Sequence, residues 1–306
     1  MKTVLITAGG TSEPIDNIRS ITNTGTGALG SLIAGSFARS RSVERIVYIH
    51  GKNAVLPRTQ KAVCIEAAST AELQEAVRRA CKEYSPDAII HSMAVSDYSV
   101  GAVVRAEDLI DIAEKAGASR TAGRLEELSS QVISERIGSA RTAEELARAY
   151  DYLPDRQTAK ASADEAEALI QAERDALLKL AREKDLRGEY NKIPSSTGSP
   201  VILLAPTPKI IPELRKLAPE AVIVGFKLLD EVKKKELLDT AKRLMEKNDC
   251  DFVLANDYKT VQKGADKHVG YLMARGGKVD TFTGKQSIAD GIAGAVEKIW
   301  KEEVRK

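Results

Sequence analysis

Aromatic residues are scarce in this chain: Phe, Trp and Tyr make up 4% of 306 residues, with a single Trp. That is too few for a platform of stacked bases, and a formal net charge of +2 offers no strong field for nucleic acid or an anionic membrane. Cysteine is also rare. Cys64, Cys81 and Cys250 stand far apart with no CxxC spacing, so neither a disulfide framework nor a thiolate metal site is expected, and buried reduced thiols fit a cytoplasmic protein. Apolar runs are of strand length, well short of the roughly 20 residues that a membrane helix needs. The chain goes straight from Lys2 into an apolar strand, which predicts no secretory leader. Histidine is limited to His50, His91 and His268, without metal-ligand spacing, and neither a Walker lysine loop nor a nucleophile elbow occurs.

What is present is an alternation of strand and helix patterns. Thr3–Ala8 is a β-branched apolar run closed by Gly9-Gly10, and Leu29, Ile33 and Phe37 recur at helical spacing over 27–40. Strands are expected at Arg45–Ile49, Ala62–Glu66, Asp87–His91, Val201–Leu204, Ala221–Val224 and Asp251–Ala255. Ser69-Thr-Ala-Glu72 is a capping box that opens a helix. Further helices are expected up to Leu217, over 233–247 and at the end of the chain, where Ile288, Ile292, Val296 and Ile299 share a face. Arg275-Gly-Gly277 predicts a hairpin turn. This rhythm implies an α/β fold, a doubly wound, mostly parallel Rossmann-like sheet with helices on both faces and a C-terminal hairpin. Residues 105–189 lack Phe and Trp and favour helix. The expected organisation is therefore one α/β domain, 1–104 plus 190–306, with 105–189 a charged helical insertion.

Gly25-Thr-Gly27-Ala-Leu-Gly30 matches the dinucleotide fingerprint in letters, yet its first glycine lies 17 residues beyond Ala8. The fingerprint works only as a tight strand-to-helix turn, so no NAD is predicted. An anion site at the helix start near Gly27 survives, because free N–H groups suit any phosphate. Polar loops are expected at successive strand ends: 9–26, 92–99, 205–209, 225–227 and 256–259. Within them Arg19 suits a carboxylate or phosphate, or else a structural loop salt bridge. Asn23 suits a developing oxyanion, or else an αL turn or helix cap. His91 ends a buried strand and reads as a satisfied core histidine or a site residue.

The run Thr7-Ala-Gly-Gly-Thr-x-Glu-x-Ile-Asp16, followed by Ile18-Arg-Ser-Ile-Thr-Asn23 and Thr-Gly-Thr-Gly-x-Leu-Gly30, resembles phosphopantothenate–cysteine ligase, the phosphopantothenoylcysteine synthetase of coenzyme A biosynthesis, in its free-standing bacterial form. His91-Ser-Met-Ala-Val-Ser-Asp-Tyr98, Lys192-Ile, Thr207-Pro-Lys-Ile-Ile211, Val224-Gly-Phe-Lys-Leu-Leu229 and Leu254-Ala-Asn-Asp257 resemble its later motifs, in order.

The resemblance implies a cytoplasmic homodimer acting on 4'-phosphopantothenate, L-cysteine and a nucleoside triphosphate, CTP before ATP. Mg²⁺ is expected through the triphosphate, with no protein metal ligands and no flavin. It implies an acyl-nucleotidylate intermediate, release of pyrophosphate, and attack by the cysteine amine. Asn23 and Lys192 are the implied catalytic residues. Arg19, Gly9, Gly10, Thr26, Gly27 and Ala94 are implied on the acid substrate. His91, Ser92, Met93, Asp97, Lys192, Pro206, Thr207, Pro208, Lys209 and Phe226 are implied on the nucleotide, with Lys247 chosen as the phosphate-facing lysine of the 233–247 helix. Ala28 stands where many relatives carry Lys. For Lys192 the plain alternative is an exposed loop lysine, and residues 105–189 would serve as a strap or lid. The rival functions are an NAD(P)-dependent reductase on the same fold and a non-catalytic nucleotide-binding paralogue.

Overall fold

A computed structural model describes residues 1–116, 156–262, 264 and 266–303. The chain divides into two compact units, one of Met1–Pro14, Ser20–Ser99 and Pro206–Lys306, the other of Ile15–Arg19 and Val100–Ala205.

The first unit is built on an eight-stranded sheet of β1 (Lys2–Ala8), β4 (Val43–His50), β5 (Ala62–Glu66), β6 (Ala88–His91), β9 (Val222–Leu229), β10 (Phe252–Asp257), β11 (Val269–Ala274) and β12 (Val279–Thr283), in the order β12-β11-β10-β9-β6-β1-β4-β5. The six strands from β10 to β5 are mutually parallel, and β11 and β12 pair antiparallel. The fold class expected from the sequence is the one observed. Successive strand residues fall into two cores, as a pleat with both faces covered requires. Leu5, Val47, Ile89, Ile223 and Val253 pack with α2 (Thr70–Tyr84), α6 (Ile211–Leu217) and α7 (Lys234–Asn248). Val4, Ile6, Ile46, Ile90, Val224 and Leu254 pack with α1 (Ala28–Ala38) and α9 (Lys285–Glu303).

Aspartates fix the register where strands begin. Asp87 Oδ2 accepts the Thr3 N–H at 2.8 Å, and Asp251 Oδ2 accepts the Ile223 N–H at 2.9 Å. Because β1 has β4 on one side and β6 on the other, the winding direction reverses there. In open α/β sheets such a reversal leaves a crevice at the carboxyl edge. The loop leaving β1 is not wholly irregular, since β2 (Ser12–Pro14) and β3 (Ser20–Thr22) form a small antiparallel hairpin in it.

The second unit holds most of a two-stranded sheet, β7 (Tyr98–Arg105) with β8 (Pro200–Pro206). Its helices are α3 (Ala106–Ala116), α4 (Arg156–Glu183) and α5 (Leu186–Glu189). Ala102, Val104, Ile112 and Ala181 form one small core, while Val100, Val103, Leu186 and Ile193 form another. The strand expected at Val201–Leu204 therefore exists, but it pairs with β7 and not with the main sheet. β7 had no counterpart in the sequence pattern, because Gly101-Ala102 interrupts its β-branched run. Part of the expected insertion, 117–155, lies outside the described residues.

Candidate functional site

In the first unit the reversal at β1 is filled by interlocked backbone. Gly10 bridges to Ala94; Ala94 N–H donates to Gly9 O at 2.8 Å and Thr11 N–H to Ala94 O at 3.1 Å. Asn23 returns onto the same point. Its backbone N–H donates to Thr11 O (3.1 Å) and its side-chain amide to Ala94 O (3.0 Å). The acceptor is a carbonyl, so Nδ2 must be the atom that faces it. The partly buried Asn23 keeps its Oδ1 without a hydrogen-bond partner among the described residues. Close approach explains the glycines: a Cβ on Gly10 would lie 2.3 Å from Asn23 O, and Gly9 has φ +91°. Gly27 (φ +71°) opens α1 without a side-chain cap. Thr26 O accepts from Val55 N–H at 3.0 Å. Beyond the Ala28 N–H, which Thr26 Oγ1 accepts at 3.4 Å, the first turn of α1 presents N–H groups at the carboxyl edge of β1, where they suit an anion.

The end of β6 supplies the next wall. His91 is buried, its Nδ1 2.8 Å from Thr7 Oγ1, and burial pushes its pKa down to about 4, so it is neutral near pH 7. Ser92 donates to Thr7 O at 2.7 Å. The Met93 side chain lies in the core, leaving only its backbone to the loop. Further along, Thr11 and Ser96 exchange hydrogen bonds (Thr11 Oγ1 to Ser96 Oγ 2.9 Å; Ser96 N–H to Thr11 Oγ1 2.8 Å). Thr207 N–H donates to Asp97 O at 3.0 Å, its hydroxyl donates to Ser96 O, and Lys209 is ion-paired with the exposed Asp97. Asp97 and Thr207–Lys209 are therefore brought together, with Pro206 and Pro208 exposed beside them. Phe226 lies beyond Val224, the last β9 residue to pair with β6, and packs on the α1 and α9 core. β9 continues to Leu229, so 225–227 is strand and not the expected closing loop.

Lys247 must be corrected. It sits in the last turn of α7, which leads into the start of β10, so it lies at the amino edge of the sheet. Lys233, at the other end of that helix, is at the carboxyl edge. At about 1.5 Å per residue the two are separated by roughly 20 Å along the axis. The direction of the crossover, from the end of β9 back to the start of β10, decides this.

Arg19 and Lys192 belong to the second unit. Arg19 is ion-paired with Asp16 and donates to Ile193 O at 2.9 Å, while Lys192 is exposed. The loop salt bridge foreseen for Arg19 is thus present, though its side chain stays 47% exposed and retains an outward face. Two carboxylates escaped assignment. Asp16 anchors Arg19. Glu13, 5% exposed, accepts from Thr70 N–H (2.9 Å) and Oγ1 (2.7 Å) and so caps α2 from outside the helix. The only signal for either was its place in the quoted motif. Among the described residues no cluster of three or more His, Cys, Asp or Glu is arranged to hold a metal ion, and no helix is long and apolar enough to cross a membrane.

Comparison with known proteins sets these features in context. The family described as "DNA/pantothenate metabolism flavoprotein C-terminal domain" matches residues 1–108 and 151–299. The coenzyme A biosynthesis bifunctional protein CoaBC of Thermococcus kodakarensis is 25% identical over 301 residues, 97% of this chain and 51% of that protein. Its Methanocaldococcus jannaschii counterpart is 31% identical over 108 residues, 35% of this chain and 27% of that protein. The chain thus spans about half the length of the first of these curated relatives and about a quarter of the second is matched. The DNA/pantothenate metabolism flavoprotein from Streptococcus pneumoniae shares the fold, with a TM-score of 0.68 at 24% identity, covering 98% of this chain and 100% of that one. So does a Cab2 mutant solved in complex with phosphopantothenate-cysteine (TM-score 0.57, 16% identity, 100% and 89% covered). The resemblance carried by the motifs is borne out at the level of the family: this chain belongs to the DNA/pantothenate metabolism flavoprotein C-terminal domains.

Proposed function

We propose that this protein is a phosphopantothenate–cysteine ligase, joining 4'-phosphopantothenate to L-cysteine in coenzyme A biosynthesis at the expense of a nucleoside triphosphate, CTP before ATP. The observation that carries the reading is the Asn23 amide, pinned to Ala94 at the reversal of the sheet beside the start of α1. Family membership and the CoaBC relatives support it. So does the fold shared with a protein solved in complex with phosphopantothenate-cysteine.

In this reading the carboxylate attacks the α-phosphorus, pyrophosphate leaves, and the acyl-nucleotidylate is then opened by the cysteine amine with loss of the nucleoside monophosphate. Such steps depend on positioning and on neutralising phosphate charge. Gly9, Gly10, Thr26, Gly27 and Ala94 would line the acid substrate with Arg19. The 91–93 and 206–209 loops, Asp97 and Phe226 would take the nucleotide, and Lys192 its phosphates. Lys233 replaces Lys247 as the helix lysine. A divalent cation would come in on phosphate oxygens and supply charge neutralisation. Residues 105–189 would act as strap or lid, and the exposed Ile202 and Leu204 on β8 would seat a second copy in a cytoplasmic homodimer.

The test is pyrophosphate release with phosphopantothenate and cysteine, comparing CTP with ATP. Release dependent on both substrates is expected. No release with either nucleotide would sink the reading.

A further inference from the structure

Asp16 does more than close its own turn. Its Oδ1 accepts the N–H groups of Ile18 (2.9 Å) and Arg19 (2.8 Å), an arrangement that a local Asx turn explains. Its Oδ2 takes the Arg19 guanidinium, with Nε at 3.0 Å, and also the N–H of Ile193 at 3.2 Å, 177 positions away. Arg19 Nη2 reaches the Ile193 carbonyl at 2.9 Å, so Asp16 and Arg19 grip both polar groups of that one peptide residue. On the other side of Lys192, Asn17 N–H donates to Asn191 O at 3.1 Å. The grip is backed by apolar packing, since Ile193 is 3% exposed in a core with Val100, Val103 and Leu186, and Ile15 packs against it. Between these two anchored residues Lys192 is exposed, and it makes no ion pair among the described residues.

We propose that Asp16 is a positioning residue that holds Arg19 and the backbone on both sides of Lys192 in a single frame, so that the cation for the acid substrate and the cation for the triphosphate are presented together. The proposal rests on the ligase reading. A lysine on a free loop would lose rotamer and backbone entropy each time it met the phosphates; a clamped segment has lost the backbone part already. The Asp16 side chain is fully covered and the Arg19 guanidinium holds its carboxyl well below the usual carboxylate range, so the frame stays charged at neutral pH.

The test combines amide exchange with a double-mutant cycle. Asp16→Asn should speed exchange of the Ile193 amide while leaving that of the main sheet unchanged. It should slow single-turnover pyrophosphate formation about tenfold. In a Lys192→Gln background the same change should cost clearly less than tenfold, because only the Arg19 share of the positioning is left to lose. Independent, multiplicative losses, or unchanged exchange at Ile193, would overturn the proposal. Asp16→Glu keeps the charge but displaces it by one methylene, and serves if Asp16→Asn fails to fold; the same non-additivity is required of it. A wild-type chain that forms no pyrophosphate overturns the ligase reading itself and the catalytic sense of the clamp with it. Failure of the clamp alone shows as an active enzyme with additive variants.

Discussion

The side-chain amide of Asn23 donates to the carbonyl of Ala94 across 3.0 Å, joining the loop after β1 to the loop after β6. This bond fixes the amide's orientation, and with it the position of Oδ1.

Asn23→Asp would set a carboxylate against the Ala94 carbonyl and against any oxyanion that develops nearby. The expected outcome is one burst of pyrophosphate per active site, retained acyl-nucleotidylate, and steady-state turnover lowered about 10²- to 10³-fold. Quench analysis of the bound intermediate checks it, and normal turnover would remove Asn23 from the chemistry.

Lys192→Gln should slow pyrophosphate release and leave thermal stability within about 0.5 kcal/mol of wild type, because the side chain is exposed and makes no ion pair among the described residues. An unchanged rate would make it an ordinary loop lysine.

Gly10→Ala tests the interlocked backbone directly. A methyl 2.3 Å from Asn23 O must displace the returning loop. Lost activity with a largely intact sheet is expected, measured as turnover beside far-UV circular dichroism. Full activity would show that the loop gives way freely.

His91 and His268 predict acid sensitivity. Burial lowers both to about 4 from an ordinary 6.5, with Lys285 adding to the shift at His268. Between pH 6.5 and 4 the unfolded chain binds protons that the folded one refuses, so stability must fall as pH drops through that window. Asp16 adds its loss only lower, as pH falls below the ordinary carboxylate value. Melting temperatures from pH 7 to 4 check this, and His268→Asn should flatten the slope.

The sheet was legible in the sequence because its strands are buried on both faces and read as continuous apolar runs, as at Val4–Ala8 and Ile89–His91. The capping box at Ser69 and Glu72 was equally local, and it forms. What stayed hidden depends on distant partners. Asp16 reads as a turn former until Ile193 is beside it, and Glu13 as a loop carboxylate until Thr70 is. β7 lacks a clean alternation, and which end of the 233–247 helix meets the carboxyl edge depends on the direction of the crossover.

The aspartates at the starts of β6 and β10 carry a further implication. Each ties its own strand to a neighbour at the edge remote from the crevice, so alignment is settled before the chain reaches the loops at the carboxyl edge. Insertions and substitutions at the far end can then accumulate without sliding one strand past the next, which leaves recognition free to diverge on an unchanging frame.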